Sequence, residues 1–272
     1  MKPYVIYILG AGHSGSTILQ YLMAGLPDVI GLGEVRQMAA GGRGEKIVGT
    51  CSCDLKATEC PIWGSAELAS DKSSIEWYKR LAGRVSSLYP DATHWIDSSK
   101  STHAIRPWLD LAHEGYVAGV RILYLARDVR GWVVSDESAR IRKDRRPRPL
   151  FSAMQAWRKN QNDTLRFLEN NEAALDYLIV SYESLIFQTE AQLARIAGFS
   201  GLKDGKNKSW EEGLSGAEVH DVFGNRIKDN PNARRRLTYD DRWQYRLSVN
   251  LLAAALFPVW RLNKELREKG GV

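Results

Sequence analysis

An apolar run of strand length, Tyr4-Val5-Ile6-Tyr7-Ile8-Leu9, leads directly into Gly10-Ala11-Gly12-His13-Ser14-Gly15-Ser16-Thr17. The helical-looking Ile18-Leu19-Gln20-Tyr21-Leu22-Met23 follows. Strand, glycine-rich turn and helix start together predict a preformed anion site, because backbone N–H groups and the positive helix end converge there. The phosphate-loop pattern G-x-x-x-x-G-K-[ST] fits from Gly10 to Thr17 except at one place: Ser16 stands where the lysine belongs. That lysine serves the β/γ-phosphates of a triphosphate. Its loss argues against ATP or GTP hydrolysis and leaves a smaller phosphorylated anion as the expected ligand. A plain strand–turn–helix connection is the simpler reading, but the agreement of strand, turn and helix start favours the anion.

With 272 residues the chain can form one large α/β domain with a real core. Further strand-like runs lie at His94–Asp97, Arg121–Ala126 and Tyr177–Val180, with a short one at Val29–Gly33. Helical periodicity covers about 63–89, 102–114, 130–143, 150–171 and 182–197. In the first of these Trp77, Leu81, Val85 and Leu88 share one face. Strands alternating with helices predict an α/β fold, a three-layer parallel sheet with helices on both faces. Ligands of such sheets sit beyond the carboxyl ends of the strands. Glu34, Asp97 to Lys100, Arg127 and Tyr182 all fall at or just after such ends. We expect a single domain over 1–272, with 41–62 and 201–235 as loop-like insertions.

Net charge is +6 and unevenly spread. Arg140, Arg142, Lys143, Arg145, Arg146 and Arg148 face only Asp144 in their stretch, and Arg226, Lys228, Arg234, Arg235, Arg236 and Arg242 form a second basic region. Both suit an anionic partner or a solvated loop. The longest apolar stretch, Leu251 to Trp260, is too short to span a membrane and contains Pro258. No secretory leader is evident, so a cytoplasmic protein is expected. Cys51, Cys53 and Cys60 are spaced C-x-C-x6-C with no histidine nearby in sequence, short of a four-ligand zinc set; structural thiols are expected.

Three segments, GAGHSGSTIL, ILYLARDVRGWVVSDESAR and VSYESLI, together resemble the sulfotransferases that use 3′-phosphoadenosine 5′-phosphosulfate (PAPS). The resemblance spans most of residues 4–200. It implies a fold like that of the P-loop nucleoside triphosphate hydrolases and a 5′-phosphosulfate loop after the first strand, here Gly12, His13, Ser14, Gly15, Ser16 and Thr17. It also implies a 3′-phosphate site made by an arginine and a serine eight residues later, the spacing of Arg127 and Ser135. If Arg127 ends a strand and a helix starts near Val129, both can reach one phosphate. The alternative is a local Arg127–Asp128 ion pair and a helix-surface serine. His220 to Lys228 resembles the late basic loop over the nucleotide, which makes Asn225, Arg226 and Lys228 candidates. Tyr182 and Trp132 could also stack there, or simply pack in the core.

Sulfuryl transfer accounts for the missing lysine, since a sulfuryl group carries less charge than a phosphoryl and needs metal neutralisation less; no metal is expected to be required. Lys100 is the candidate for stabilising the departing oxygen. Glu34 resembles in position the catalytic glutamate of the protein-tyrosine sulfotransferases, and is a base candidate. His13, where the family more often has lysine or arginine, and His103 are others. The expected reaction moves a sulfuryl group from PAPS to a hydroxyl of a small-molecule, glycan or natural-product acceptor and releases adenosine 3′,5′-diphosphate. A small-molecule kinase is the alternative enzyme. A basic nucleic-acid-binding module is the non-enzymatic alternative, but no recognised nucleic-acid motif accompanies the charge.

Overall fold

The computed structural model describes residues 1–40, 49–65, 68, 74–171, 173, 175–203, 209–224 and 237–271. Five strands, β1 (Tyr4–Gly10), β2 (Val29–Gly31), β3 (His94–Lys100), β4 (Gly119–Ala126) and β5 (Tyr177–Ser181), form one sheet in the order β2-β3-β1-β4-β5. Every pairing is parallel. The helices are α1 (Ser16–Ala24), α2 (Val35–Ala39), α3 (Ile75–Leu88), α4 (Arg106–His113), α5 (Val129–Ile141), α6 (Leu150–Asn170), α7 (Tyr182–Phe187), α8 (Thr189–Ser200), α9 (Trp210–Ser215), α10 (Leu247–Ala255) and α11 (Phe257–Lys269).

The period-2 alternation of β1 divides the core between the two faces of the sheet. Val5, Tyr7 and Leu9 point into one apolar cluster with Trp77, Leu81 and Val85 of α3, Trp108 of α4, Val133 of α5 and Trp157 of α6. Ile6 and Ile8 point into the other, with Leu19, Leu22 and Met23 of α1, Leu185 of α7 and Ile196 of α8. This is the three-layer arrangement expected, and the predicted α3 face is the buried one.

Local chemistry explains where elements begin and end differently from expectation. Of the helix expected over 63–89, α3 runs from Ile75, with Ser74 accepting from the Trp77 amide as its N-cap, and the described residues 63–65 are not helical. The segment 102–114 starts as a 3₁₀ turn capped by Ser101, and Pro107 opens α4, where a missing N–H costs nothing. The helix expected over 182–197 is two: Gln188 leaves helical geometry between α7 and α8. Within 201–235, α9 is fixed by a capping box between Ser209 and Glu212.

The strand order matters more for chemistry than any boundary. β1 lies between β3 and β4, so successive strands run to opposite sides of it. The crevice at such a switch point opens beyond the end of β1, where residues 10–15 lie.

Candidate active site

Gly10 has φ 148° and pairs with Leu125; a Cβ there would fall 2.5 Å from the Leu125 carbonyl oxygen. Gly15 takes φ 100° and lies against the Tyr182 ring. His13 is itself left-handed at φ 70°. The loop carbonyls are tied from outside. Trp132 Nε1 donates to the Gly12 carbonyl at 2.7 Å, and Arg127 Nη1 to the His13 carbonyl at 2.9 Å. The first turn of α1, whose N–H groups have no intrahelical acceptor, follows the loop directly. Trp132 and Tyr182 thus brace the loop as well as pack.

Arg127, only 6 % exposed, extends from the end of β4. Its guanidinium lies 4.5 Å from the centre of the Tyr182 ring, and Nη2 meets Asp240 at 2.9 Å. The alternative pairing with Asp128 does not form: Asp128 takes Arg130 in a two-point bond and Arg267 at 3.3 Å. Ser135 is half-buried, the seventh residue of α5. Two donors of this cradle, Ser14 Oγ and Arg127 Nε, are buried without a hydrogen-bond partner among the described residues. Gly12 is exposed, with open space where a Cβ would lie. Spare buried donors around an open loop fit a phosphate or sulfate ester.

On the other side of β1, Glu34 and Lys100 meet. Glu34 is the N-cap of α2 but makes no cap bond; its carboxylate takes Lys100 Nζ at 2.5 Å and Gln37 Nε2. Both side chains are mostly covered, at 15 % and 17 % exposure. Lys100 is aimed by a bulge: between Tyr7↔Asp97 and Leu9↔Lys100, β3 advances one residue more than β1, and Lys100 takes φ 70°. Asp97 anchors this turn. It is fully buried, accepts from the Ser99 amide at 2.8 Å, from the Ser99 hydroxyl and from Trp108 Nε1 at 2.7 Å. Ser99 Oγ in turn accepts from the Arg36 amide at 2.9 Å, joining the start of α2 to the end of β3. Burial raises the Asp97 carboxyl to about 6, against the pull of these donors.

His13 stays below the usual histidine range because burial disfavours its charge, with Asp136 acting in the opposite sense. It is therefore a neutral imidazole near pH 7, suited to accept a proton or donate one hydrogen bond, and does not replace the missing cation. His103 is exposed on its 3₁₀ turn. The described part of the late segment, Glu218 to Gly224, runs beside β2, with a parallel bridge between Gly31 and Val219. Asp221 is buried against Gly33, immediately before Glu34, and burial followed by the Glu34 charge raises its carboxyl to about 6. Asn225, Arg226 and Lys228 lie outside the described residues.

Sequence reasoning singled out the loop, Arg127, Glu34 and Lys100, which the structure sets at neighbouring strand ends. It passed over the anchoring role of Asp97, although an aspartate just before Ser-Ser-Lys at a strand end was a usable signal. Asp240 and Asp221 carried no local signal; both act through contacts made across the fold.

A glycine-rich loop at the switch point, braced by an arginine from the next strand, belongs to an α/β protein with a P-loop-like fold. The family model described as the sulfotransferase family matches residues 3–205. The chain belongs to that family. No curated protein matches it. Among solved structures, the sulfotransferase domain of the Synechococcus PCC 7002 olefin synthase is 22 % identical with a TM-score of 0.59, over 98 % of this chain and 95 % of that one. The sulfotransferase domain from the curacin biosynthetic pathway is 19 % identical with a TM-score of 0.62, over 97 % and 98 %. Both have this fold along nearly the whole chain. Among the described residues no helix is long and apolar enough to cross a membrane.

Proposed function

We propose that this chain transfers the sulfuryl group of PAPS to a hydroxyl of a small-molecule, glycan or natural-product acceptor, releasing adenosine 3′,5′-diphosphate. One observation carries the reading: the loop 10–17, Arg127 and the Glu34–Lys100 pair stand at or just after the ends of β1, β4, β2 and β3, on one edge of the parallel sheet.

In this reading Gly12 to Thr17 hold the 5′-phosphosulfate by backbone and hydroxyl donors, and Arg127 with Ser135 holds the 3′-phosphate. Bound PAPS supplies an activated sulfuryl group. Lys100 donates to the oxygen on which charge builds as the S–O bond breaks. Glu34 takes the acceptor's hydroxyl proton, and Gln37 and Lys100 keep its carboxylate aimed. His13, neutral and beside the loop, is the second base candidate. Catalysis rests on positioning and charge, with no metal assigned to the sulfuryl step.

Calorimetry with adenosine 3′,5′-diphosphate in Mg²⁺-free buffer, against Mg·ATP, tests the proposal. Micromolar or tighter binding of the diphosphate and weak binding of ATP are expected. A preference for Mg·ATP would move the chain to the kinases, and binding of neither would remove the nucleotide role from the loop.

A further inference from the structure

Three thiols and one imidazole meet in a place the sulfuryl chemistry does not use. Cys51, Cys53 and Cys60 lie in the turn-rich stretch that follows α2, and His220 arrives beside them from the late segment. One ligand atom from each lies within 4.8 Å of all the others, and Cys60 Sγ is 3.2 Å from His220 Nδ1. Cys51, Cys60 and His220 are buried, with exposures of 1 %, 2 % and 1 %. We propose that these four residues form a structural zinc site of the Cys₃His type.

The ligand set is complete and closed. Tetrahedral zinc with Zn–S of about 2.3 Å and Zn–N of about 2.0 Å separates its ligand atoms by roughly 3.5–3.8 Å. The four atoms therefore need only small adjustments to enclose the ion. The other side of the imidazole is arranged as a metal-bound histidine requires. His220 Nε2 lies 3.0 Å from Glu218 Oε1 and 2.7 Å from the Tyr89 hydroxyl, which itself donates to Glu218 at 2.8 Å. A carboxylate only accepts, so Nε2 carries the proton and Nδ1 presents its lone pair to the sulfurs. A disulfide would use two thiols, strand the third and leave this orientation of His220 without a purpose.

Zinc would displace the thiol protons to solvent and bind thiolates. Four protein ligands leave no position for substrate, so the role is to hold. Ser52 Oγ donates to the Val219 carbonyl at 2.5 Å and Trp63 Nε1 to the His220 carbonyl at 2.8 Å, docking the two segments against each other. The residue after His220 is Asp221, packed on Gly33 next to Glu34. Zinc would lock the backing of the Glu34 side of the site, and this holds whatever the donor of the reaction.

The test is elemental analysis of the full-length chain purified without chelators or metal-affinity resin. We expect about one zinc per chain. Cobalt substitution should give the thiolate-to-metal charge-transfer and tetrahedral ligand-field bands of a sulfur-rich site. Cys60→Ser and His220→Ala should lose the metal. Because these variants could fail to fold, Glu218→Gln provides a milder probe: it should retain the fold by circular dichroism and surrender zinc to a chelator about 10–100-fold more readily. A reduced wild-type protein that lacks zinc and does not take it up from added zinc sulfate would overturn the proposal. So would a disulfide between two of these cysteines in the zinc-free protein as isolated, or zinc retention by Glu218→Gln and Cys60→Ser equal to wild type.

Discussion

Lys100 Nζ and Glu34 Oε1 lie 2.5 Å apart, although 66 residues separate them in sequence. The bulge in β3 and the start of α2 bring them together. In the proposed reaction each has a separate task, so their variants should differ in kind. Glu34→Gln should lower kcat by about 10²–10⁴-fold, the usual worth of a positioned base, with diphosphate affinity near wild type. Lys100→Met should lower kcat by about 10²–10³-fold through loss of a donor at the leaving oxygen. The double variant should lose less than the product of the two, because each residue positions the other. Full turnover in Glu34→Gln would pass the base role to His13.

Arg127 is nearly buried and holds the loop carbonyl of His13, while its Nε has no hydrogen-bond partner among the described residues. Arg127→Ala should weaken adenosine 3′,5′-diphosphate binding by about 2–4 kcal/mol, from the loss of a buried charge-assisted contact. Calorimetry of the variant checks this, and unchanged affinity would remove the 3′-phosphate from this end of β4.

Two glycines in one loop should behave differently. A Cβ at Gly15 would fall 2.5 Å from the Tyr182 ring at a φ of 100°, so Gly15→Ala should destabilise the fold by about 1–3 kcal/mol. A Cβ at Gly12 meets nothing within 4 Å. Gly12→Ala should therefore unfold at the wild-type denaturant midpoint yet bind the diphosphate more weakly, since the new methyl stands where the ligand approaches. Equal binding would mean the anion does not sit over Gly12.

The buried Asp97 carboxyl, raised to about 6 by desolvation, makes stability depend on pH. Its unfolded value is about 3.9, so between roughly pH 4 and 6 the folded chain holds the proton more firmly than the unfolded one. The contribution of Asp97 is thus fully present below pH 4 and is lost as pH rises to 6, on the order of 3 kcal/mol in all. Denaturant titrations across this range should show the wild type losing stability relative to Asp97→Asn as pH rises. Parallel curves would place the Asp97 titration at its ordinary value.

Much of this molecule is written locally. The alternation of Val5, Tyr7 and Leu9 with Ile6 and Ile8 sets two buried faces for β1, and Gly10 to Thr17 make the turn into α1, with Gly10, His13 and Gly15 at positive φ. Periodicity and turn chemistry act over a few residues, so strands, most helices, the glycine-rich loop and the strand-end positions of Glu34, Lys100 and Arg127 could be read from the sequence. The sequence also carried the family.

Strand order is a different matter, because it depends on which apolar faces pack best over the whole chain, and no local pattern encodes it. Only the tertiary structure put β3 and β4 on either side of β1, and with that set Lys100 against Glu34 and Arg127 against the loop. It also supplied Asp240 to Arg127 and carried His220 across 160 residues to Cys60. Contacts between residues so far apart are made when the sheet closes and the late segment docks beside β2, and a sequence read along its length contains the parts but not the meeting.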